Sequence, residues 1–438
     1  MNPRLSDRPA LLGGSPAVDI PAPHFRWPPV SAVEERAVLE TLRAGVLSYP
    51  RSQGAVEQLE REFRAQMGMR YSLTTHSGTG ALHAAYFALD LPPGSEVLVP
   101  AYTHIGTALP LLHLGLVPAL CDVDPSVGNV TAGSLEERCT ERTRAVAVTH
   151  QFGLSCDMVP IVEFARRRGL RIVEDCSHAH GSRYRDLPVG RFGDIACFSL
   201  QAHKTISAGE GGILLTDDPS LAERAALLGH FREPREFTSA EKRGLVETGF
   251  GLKSRLHPLG AALALAGLHS LDAVCQARRA NYQSLEAACA SIAGVQVLPT
   301  PGDCDRGGYF RFVLKFEPQS FAGLSGEQIC TALQAEGAVE ARAGSLARPL
   351  HTYRMFQDPA PSIYPTPWSA GADPLQSRRT FRPGDFPHAE EFSACTLQLP
   401  AFTAPAAELI GQYAAALRSV QRGAAALAAH FARAASPS

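Results

Sequence analysis

Two reactive side chains follow two short apolar runs of this sequence. Asp175 ends the run Arg171–Asp175, and Lys204 comes shortly after the run Ile195–Ser199. A lysine amine can form an imine with an aldehyde, and a buried carboxylate can keep a neighbouring ring nitrogen protonated. A glycine-rich block, Gly209–Gly212, follows the lysine. The pattern is typical of catalysis through an electron-withdrawing ring that the protein binds covalently.

A third segment has the features of a phosphate-binding turn. Ser77-Gly78-Thr79-Gly80 lies between a predicted strand and a predicted helix, where free backbone N–H groups and the helix dipole favour an anion. The same residues also fit an ordinary helix start, with Ser77 or Thr79 as the capping side chain. An amine, a carboxylate and a phosphate cradle are together what pyridoxal phosphate requires, and each alone would be weak evidence.

Other common binding motifs are missing from the sequence. The turn after Gly78 continues to His83 instead of a third glycine, and no GxxxxGK[ST] occurs. No CxxC pair occurs among the ten cysteines, which disfavours a cysteine-rich zinc site and a disulfide framework. His178 and His180 have the spacing of a ligand pair, but no third ligand is evident. We therefore expect no metal site.

Short β-branched runs must position the reactive residues. Their starts are about 20–30 residues apart, the repeat of βα units in a mostly parallel sheet. Several runs are apolar on both faces, as is usual for strands that helices cover on both sides. The predicted strands are Tyr71–Thr75, Glu96–Pro100, Val117–Asp122, Ala145–Thr149, Arg171–Asp175 and Ile195–Ser199. We predict one wound α/β domain over residues 70–260.

The remainder of the chain predicts a smaller C-terminal α+β lobe. Its expected elements are a long helix from His257 to about Ala293, a strand at Gly308–Phe316, a helix at Gly326–Gln334, a short strand near Ala338–Ala341 and a final helix at Pro405–Arg422. The stretch Pro359–Pro387 predicts a long surface loop, and Ala424–Ser438 a frayed helix or tail. The predicted domains are residues 1–265 and 266–438.

Composition and charge exclude several classes of function. Lys plus Arg number 41 and Asp plus Glu 43, and no basic run exceeds Arg166–Arg168, which argues against nucleic-acid binding through a basic field. Met1–Pro9 lacks the apolar core of a signal peptide. Leu259–Leu271 is too short and too mixed to span a bilayer. We expect a cytoplasmic protein that binds neither nucleic acid nor membrane.

The sequence resembles the DegT/StrS-type family of pyridoxal-phosphate aminotransferases over nearly its whole length. Besides the acid, lysine and glycine blocks, the matching motifs are Leu12–Pro16, Val99–Thr103, His150–Gly153, Gly251–Arg255 and Pro349–His351. The resemblance implies the aspartate-aminotransferase fold (fold type I), with a mostly parallel wound sheet, and a homodimer with shared active sites. It also implies amino transfer from glutamate or glutamine to a keto-sugar, keto-cyclitol or related polar ketone.

The resemblance assigns roles position by position. Lys204 matches the lysine that forms a Schiff base with the cofactor and then shuttles a proton. Asp175 matches the partner of the pyridine nitrogen, and His178 lies where the family has Gln or His near the ring hydroxyl. The positions that match the phosphate cradle are Gly78, Thr79 and Ser199.

Two positions depart from the common family pattern. His104 stands where a ring-stacking Phe or Trp is usual, and an imidazole can still stack on the cofactor ring. Lys253 replaces the usual Asn of the loop that reaches the partner's phosphate, where a lysine would add charge to the contact. Both changes affect the assignment to a substrate subgroup of the family more than the assignment of the reaction.

Two other functions stay open at this point. The fold also hosts dehydratases and other pyridoxal reactions, and in the family deoxygenation follows where histidine replaces the lysine. A non-catalytic regulatory relative would be expected to lose Lys204 or Asp175, and this chain keeps both. The leader and the segment Gly308–Phe316 are most similar to the aminocyclitol branch. We expect specificity to depend on the loops Arg342–Phe356 and Pro359–Arg382.

Overall fold

Seven strands form the central sheet in the computed structural model, which describes residues 8–48, 54–230, 251–344, 348–357 and 381–435. The strands are β1 (Tyr71–Thr75), β2 (Glu96–Pro100), β3 (Val117–Cys121), β4 (Thr143–Thr149), β5 (Arg171–Asp175), β8 (Ile195–Ser199) and β9 (Gly212–Thr216). Between β5 and β8, the short strands β6 (Arg183–Tyr184) and β7 (Leu187–Pro188) form a hairpin. The six strands predicted from the sequence are all present.

The strand order of the central sheet is β1-β9-β8-β5-β4-β2-β3. Strands β3, β2, β4, β5 and β8 are parallel neighbours, whereas β9 is antiparallel to both β8 and β1. The sheet is therefore mostly parallel, as predicted, and β9 is the strand that the sequence reading missed. Because β9 returns directly beside β8, the connection that carries Lys204 stays at the carboxyl end of β8.

Helices cover both faces of this sheet. The helices of the first part of the chain are α1 (Ala32–Ala44), α2 (Ala55–Met67), α3 (Gly78–Ala88), α4 (Leu109–His113), α5 (Ala132–Arg138), α6 (Met158–Arg168), α7 (Pro219–Gly229) and α8 (Pro258–His269). Helix α3 packs against α7 and against strands β8 and β9, and α1 and α2 pack against α8. The strands between them are fully buried, which explains their apolar faces.

A second, antiparallel sheet has the order β10-β12-β14-β13. Its strands are β10 (Val295–Val297), β12 (Phe312–Phe316), β13 (Arg342–Ala343) and β14 (Thr396–Leu399), while β11 (Cys304–Asp305) joins the β6–β7 hairpin. The later helices are α9 (Leu271–Cys289), α10 (Gly326–Ala335), α11 (Arg354–Gln357), α12 (Pro387–Ala394), α13 (Ala407–Arg422) and α14 (Ala424–Ala435). Helix α13 packs against α9 and α10.

The single long helix predicted from residue 257 to 293 is wrong. The chain bends by 58° at Ser270, where α8 ends and α9 begins. The Ser270 hydroxyl donates to the carbonyls of Ala266 and Gly267 in the last turn of α8, a side-chain bond that commonly accompanies a bend in a helix. No single helix among the described residues is long and apolar enough to cross a membrane, although α8 and α9 together pass that test by length and composition.

Three other boundaries differ from the sequence prediction. The strand expected near 338–341 is wrong, because Gly337 has a φ of +92° and starts a turn, and β13 follows that turn. Strand β12 starts at Phe312 instead of Gly308, since Tyr309 has a φ of +41°. Residues 359–380 of the predicted loop 359–387 lie outside the described residues. Helix α12 begins at Pro387, the last residue of that predicted loop. Residues 424–435 are helical.

Two hydrophobic clusters form the interior of the described chain. One surrounds the central sheet and the other surrounds the second sheet. Leu11, Leu12 and Phe25, near the start of the chain, pack against the second cluster, while Leu350 and Phe392 pack in the first. The chain thus crosses between the two clusters more than once, and the predicted division after residue 265 stays a prediction.

Candidate active site

The carboxyl ends of the parallel strands open onto one cavity of about 490 Å³. Parallel strands present these ends at the same edge of a sheet, where α/β folds usually bind ligands. Thr149 ends β4, Asp175 ends β5 and Ser199 ends β8, and all three line the cavity. The other predicted site residues that line it are Gly78, Thr79, His104, His178 and Lys204.

Lys204 lies in the connection between β8 and β9. Its backbone N–H donates to the Gln201 carbonyl over 2.8 Å, and its carbonyl accepts from Trp27 Nε1, also over 2.8 Å. Burial lowers the pKa of the Lys204 amine to about 7, an effect that the Asp175 carboxylate opposes and the Arg311 guanidinium reinforces. A large fraction of the amine is therefore uncharged at neutral pH, the form that attacks a carbonyl.

Asp175 is held in place by donors on two sides. Its Oδ2 accepts from Thr107 Oγ1 over 2.8 Å, and its Oδ1 accepts from the Ser177 N–H over 3.1 Å. The Thr107 hydroxyl is in turn 2.9 Å from the hydroxyl of Thr103, which is 3.0 Å from that of Thr149. This chain of hydroxyls connects the ends of neighbouring strands and fixes the buried carboxylate in one orientation.

Two histidines enclose the middle of the cavity. The His178 ring stacks on Phe310 with a centroid distance of 4.0 Å and an interplanar angle of 9°. Burial, followed by the nearby Lys204, holds the pKa of His178 well below its usual range. His104 Nδ1 accepts the Gly106 N–H over 3.0 Å, and burial followed by Lys204 also lowers the His104 pKa. Both rings are therefore neutral at pH 7.

The start of α3 forms the opposite end of the cavity. Ser77 is the N-cap, and its Oγ accepts from the Gly80 N–H over 3.0 Å. The N–H groups of Gly78 and Thr79 lie in the first turn, where no helical carbonyl precedes them. A Cβ on Gly78 would lie 2.7 Å from Ser199 Cβ, so a glycine is needed for α3 to begin this close to β8. The helix cap and the predicted phosphate-binding residues thus occupy one turn.

These donors fit pyridoxal phosphate. The cavity offers an amine with a lowered pKa, a fixed carboxylate, flat neutral rings and a helix N-terminus beside a serine hydroxyl. They correspond to the aldehyde, ring nitrogen, ring face and phosphate of that cofactor.

Lys253 does not line the cavity of its own chain. Its segment runs beside the end of β1, where Ser254 N–H donates to the Gly229 carbonyl over 2.8 Å and the His76 N–H donates to the Ser254 carbonyl over 3.0 Å. The Lys253 side chain is exposed. Its predicted contact with the phosphate of a partner subunit stays a prediction.

Sequence reasoning missed several residues that shape the cavity. Thr107 orients Asp175, Trp27 binds the Lys204 carbonyl, and the Phe310 ring centre lies 4.1 Å from Lys204 Nζ. Gln398, on β14, also lines the cavity. Phe310 lies inside the predicted strand Gly308–Phe316 and just before the observed strand β12, and no local pattern marks it or the others as cavity residues.

One group of potential metal ligands lies behind Asp175. Donor atoms of His150, Glu174 and Cys176 lie within 4.8 Å of one another. Glu174 already accepts from His150 Nε2 over 3.1 Å and from three backbone N–H groups, and burial raises the pKa of the Cys176 thiol well above its usual range. The carboxylate is therefore satisfied by the protein, and this group gives no reason to add a metal.

The chain is similar to proteins that make amino sugars and aminocyclitols. A model of the DegT/DnrJ/EryC1/StrS aminotransferase family matches residues 30–371. A Micromonospora echinospora protein, provisionally named L-glutamine:3-amino-2,3-dideoxy-scyllo-inosose aminotransferase, is 31% identical over 79% of this chain and 82% of its own length. The spore coat polysaccharide biosynthesis protein SpsC of Bacillus subtilis is 30% identical over 91% and 97%.

A solved structure agrees over almost the whole chain. The crystal structure of DesI with its TDP-sugar product has a TM-score of 0.79 at 27% identity, over 98% of this chain and all of the DesI chain. The predicted aspartate-aminotransferase-like α/β fold is confirmed, and with it the predicted use of pyridoxal phosphate. With the site geometry above, these findings show that this chain belongs to the DegT/DnrJ/EryC1/StrS family of pyridoxal-phosphate-dependent aminotransferases.

Proposed function

We propose that this aminotransferase moves an amino group from L-glutamine or L-glutamate to the ketone of a sugar or cyclitol, in the biosynthesis of an amino sugar or aminocyclitol. The observation that carries the proposal is the placement of Lys204, with its pKa lowered to about 7, in one cavity with the fixed carboxylate of Asp175. A relative named for glutamine and an inosose, and a structure of DesI with a TDP-sugar, support this substrate class.

The side chains divide the work by position. Pyridoxal phosphate, when bound, supplies an electron sink for the carbon that gains or loses the amino group. Lys204 Nζ takes the proton from that carbon of the donor and returns a proton to the acceptor carbon, which its lowered pKa permits near neutral pH. Asp175 would stabilise positive charge on the ring nitrogen of the bound cofactor.

The remaining residues hold and shield the site. The N–H groups at the start of α3 and the Ser199 hydroxyl, which line one end of the cavity, would bind the phosphate. The neutral rings of His104 and His178 cover the cavity without adding charge next to the lysine. Phe310 packs on both His178 and the Lys204 amine, which limits the access of water to that amine.

A labelling experiment tests the lysine assignment. We expect the purified protein to be yellow, to lose that colour with borohydride, and to carry the reduced cofactor on Lys204 in a peptide map. Lys204→Ala should lose about a thousandfold or more in turnover, roughly 4 kcal/mol of transition-state stabilisation. Lys315, which donates to the Pro125 carbonyl, provides a control as Lys315→Ala. A label on another lysine, or normal turnover of Lys204→Ala, would disprove the assignment.

The fate of the amino group distinguishes amino transfer from a dehydratase-like reaction on the same fold. With amide- or amine-labelled donors, transfer places the donor's amino nitrogen on the acceptor and leaves a 2-oxo acid. Elimination of water would change the acceptor without incorporating that nitrogen. Ping-pong kinetics are expected because donor and acceptor react in turn at one site, and the enzyme retains the amino group after the 2-oxo acid leaves.

We also propose a homodimer in which each subunit contributes to the other's active site. The exposed Lys253, outside the cavity of its own chain, supports this arrangement. Helix α1 adds support because three of its apolar side chains, Val33, Leu39 and Leu42, are 62%, 36% and 49% exposed, and a partner subunit would cover them. The cytoplasmic location inferred from the sequence stays a prediction.

A further inference from the structure

A buried amide in the active-site cavity lacks a hydrogen-bond partner. Gln398 on β14 is 5% exposed and lines the cavity, and its Nε2 is buried with no acceptor. Buried amide donors are nearly always paired in native proteins, because an unpaired one loses its hydrogen bonds to water without compensation. An acceptor atom of a ligand would satisfy it.

Arg311 lies at the start of strand β12, which pairs with the strand that carries Gln398. Gln398 pairs with Val313 across β14 and β12, and Val313 packs in the cluster around the central sheet, whereas Phe312 and Leu314 pack in the other cluster. Arg311 lies one residue before β12, and its guanidinium lowers the pKa of Lys204 and of His178, which both line the cavity. Its charge therefore acts on the side of the second sheet that faces the cavity.

Arg311 is close to the reacting lysine. The Arg311 Cζ lies 5.3 Å from the centre of the Phe310 ring, and Lys204 Nζ lies 4.1 Å from the same centre. No carboxylate forms an ion pair with Arg311 in the part of the chain that the structure describes. The Arg311 guanidinium is partly buried and near the Lys204 amine, and it has no anionic partner among the described residues. It could therefore donate hydrogen bonds to an anionic group of a ligand.

Arg342 adds positive charge to this face. It pairs with Gln398 from the other side, on the edge strand β13, and its guanidinium donates to the carbonyls of Val339 and Ala341 over 2.8 Å each. Directly opposed residues of an antiparallel pair share a face. The face thus carries two cations around one unpaired amide, while the acidic groups lining the cavity are Asp175 and Glu210.

We propose that Arg311 and Gln398 bind the α-carboxylate of the amino donor, with Arg342 strengthening the positive field. The inference rests on the proposed function and names the donor subsite within it. An α-carboxylate is one bond from the carbon that exchanges its proton with Lys204, so its receptor must lie beside the lysine. The phosphate of a nucleotide-linked sugar is separated from the ketone by the sugar ring and would lie further away.

A matched pair of amines tests the subsite. L-glutamine and 4-aminobutanamide differ only by the α-carboxylate, and single-turnover rates of the holoenzyme follow from the absorbance of the cofactor. Arg311→Met should slow the reaction of L-glutamine about 10- to 100-fold more than that of 4-aminobutanamide, because only L-glutamine loses charge-assisted bonds, whereas a change in the pKa of Lys204 affects both amines alike. Gln398→Glu should also slow the reaction of L-glutamine and not that of 4-aminobutanamide, because the introduced carboxylate repels the α-carboxylate of L-glutamine. Arg422→Met, at the exposed end of α13, is the control.

The outcomes separate the subsite from its alternatives. Equal loss on both amines would overturn the proposal, because Arg311 would then act through the pKa of Lys204. If Arg311→Met fails to retain cofactor, Arg311→Lys provides the same comparison. A separate reduced sample identifies Lys204 as the lysine that binds the cofactor. If the unreduced wild-type holoenzyme then converts neither amine, the proposed function fails, whereas the subsite is still measured by binding.

Binding of unreactive anions provides that second measurement. Succinate carries carboxylates without an amine, and UDP carries a diphosphate without one. In calorimetry on the holoenzyme, Arg311→Met should weaken succinate about 10- to 100-fold and leave UDP unchanged. Loss of UDP binding with succinate binding unchanged would identify a phosphate site and overturn the carboxylate assignment. Unchanged binding of both ligands would also overturn the carboxylate assignment.

Discussion

At the scale of single residues, the reactivity of Lys204 depends on a balance between its neighbours. Burial lowers its pKa to about 7, Asp175 raises it and Arg311 lowers it. The amine is mostly charged below pH 7 and mostly neutral above it. In cofactor-free protein, labelling of Lys204 by an amine reagent should therefore increase with pH around a midpoint near 7, well below that of an ordinary lysine.

Changing either neighbour should move this midpoint in a predictable direction. Arg311→Met removes a cation that disfavours the ammonium form, so the midpoint should rise. Asp175→Asn removes an anion that favours the ammonium form, so the midpoint should fall. The midpoints are measured by mass spectrometry of the labelled peptide, with Arg422→Met as the control. Shifts of the same sign in both variants would contradict the assigned neighbours.

The second residue-scale prediction concerns turnover in Asp175→Asn. Asparagine keeps the shape and can still accept from Thr107, but it lacks the charge that pairs with the ring nitrogen. Losing one partner of a buried pair removes roughly 3 kcal/mol, which corresponds to about a hundredfold in kcat. Cofactor affinity should fall less, since the turn at Gly78 and Thr79 is unchanged. An unaltered kcat would show that Asp175 has only a structural role. Asp218→Asn, at the N-cap of α7, is the control.

At the scale of elements, the contact between α3 and β8 sets the phosphate end of the cavity. Gly78→Ala would place a Cβ 2.7 Å from Ser199 Cβ and 3.0 Å from Ser199 Cα, so the helix start must move away. We expect cofactor affinity to fall about tenfold or more, since strain of about 1–3 kcal/mol is typical of overpacking. Cofactor titration measures the effect.

The matched substitution lies in another helix. A Cβ on Gly411, within α13, would meet no heavy atom within 4 Å. Gly411→Ala should leave cofactor affinity unchanged and stabilise the fold by about 0.5–1 kcal/mol, from helix propensity alone. An equal loss of affinity in both variants would show that the contact with Ser199 is not responsible.

The connection between β8 and β9 is the element that presents the lysine. Leu200 N–H donates to the Gly211 carbonyl over 2.8 Å, and Ala202 N–H donates to the Gly209 carbonyl over 2.7 Å. These bonds close the base of the loop. The antiparallel return of β9 therefore holds Lys204 above the sheet edge without a crossover helix.

At the scale of the whole molecule, Lys253 links cofactor binding to assembly. If its side chain reaches the partner's phosphate, Lys253→Ala should weaken cofactor binding about tenfold or more, as for loss of a charge-assisted bond of roughly 1.5–3 kcal/mol. Cofactor should also stabilise the dimer, because a ligand that bridges two chains favours the assembled state. Native mass spectrometry with and without cofactor measures this linkage.

Hybrid dimers test the shared site directly. Mixing Lys204→Ala chains with Lys253→Ala chains gives hybrids in which one site carries both changes and the other carries neither. At limiting cofactor, the mixture should exceed the summed activities of the two variants. If native mass spectrometry confirms hybrids and activity does not exceed that sum, Lys253 acts within its own chain or not at all.

Local pattern in the sequence was sufficient for six of the seven strands of the central sheet and for the class of chemistry. Runs such as Glu96–Pro100 are apolar on both faces, which only a strand covered on both sides requires, and they are strands. Asp175 and Lys204 were recognised because an acid at a strand end and a lysine before a glycine block are local features. The predicted residues that line the cavity come from such local motifs.

Tertiary structure decided what local pattern cannot encode. Phe310 and Gln398 enter the cavity from the second sheet because β12 and β14 pair in one register, a contact between distant segments. Thr107 and Asp175 are 68 residues apart in the sequence, and they meet because the strand order β5-β4-β2 leaves only one strand between the ends of β2 and β5. Hydrogen bonds and burial between distant segments depend on strand order and register, and these follow from the packing of the whole chain.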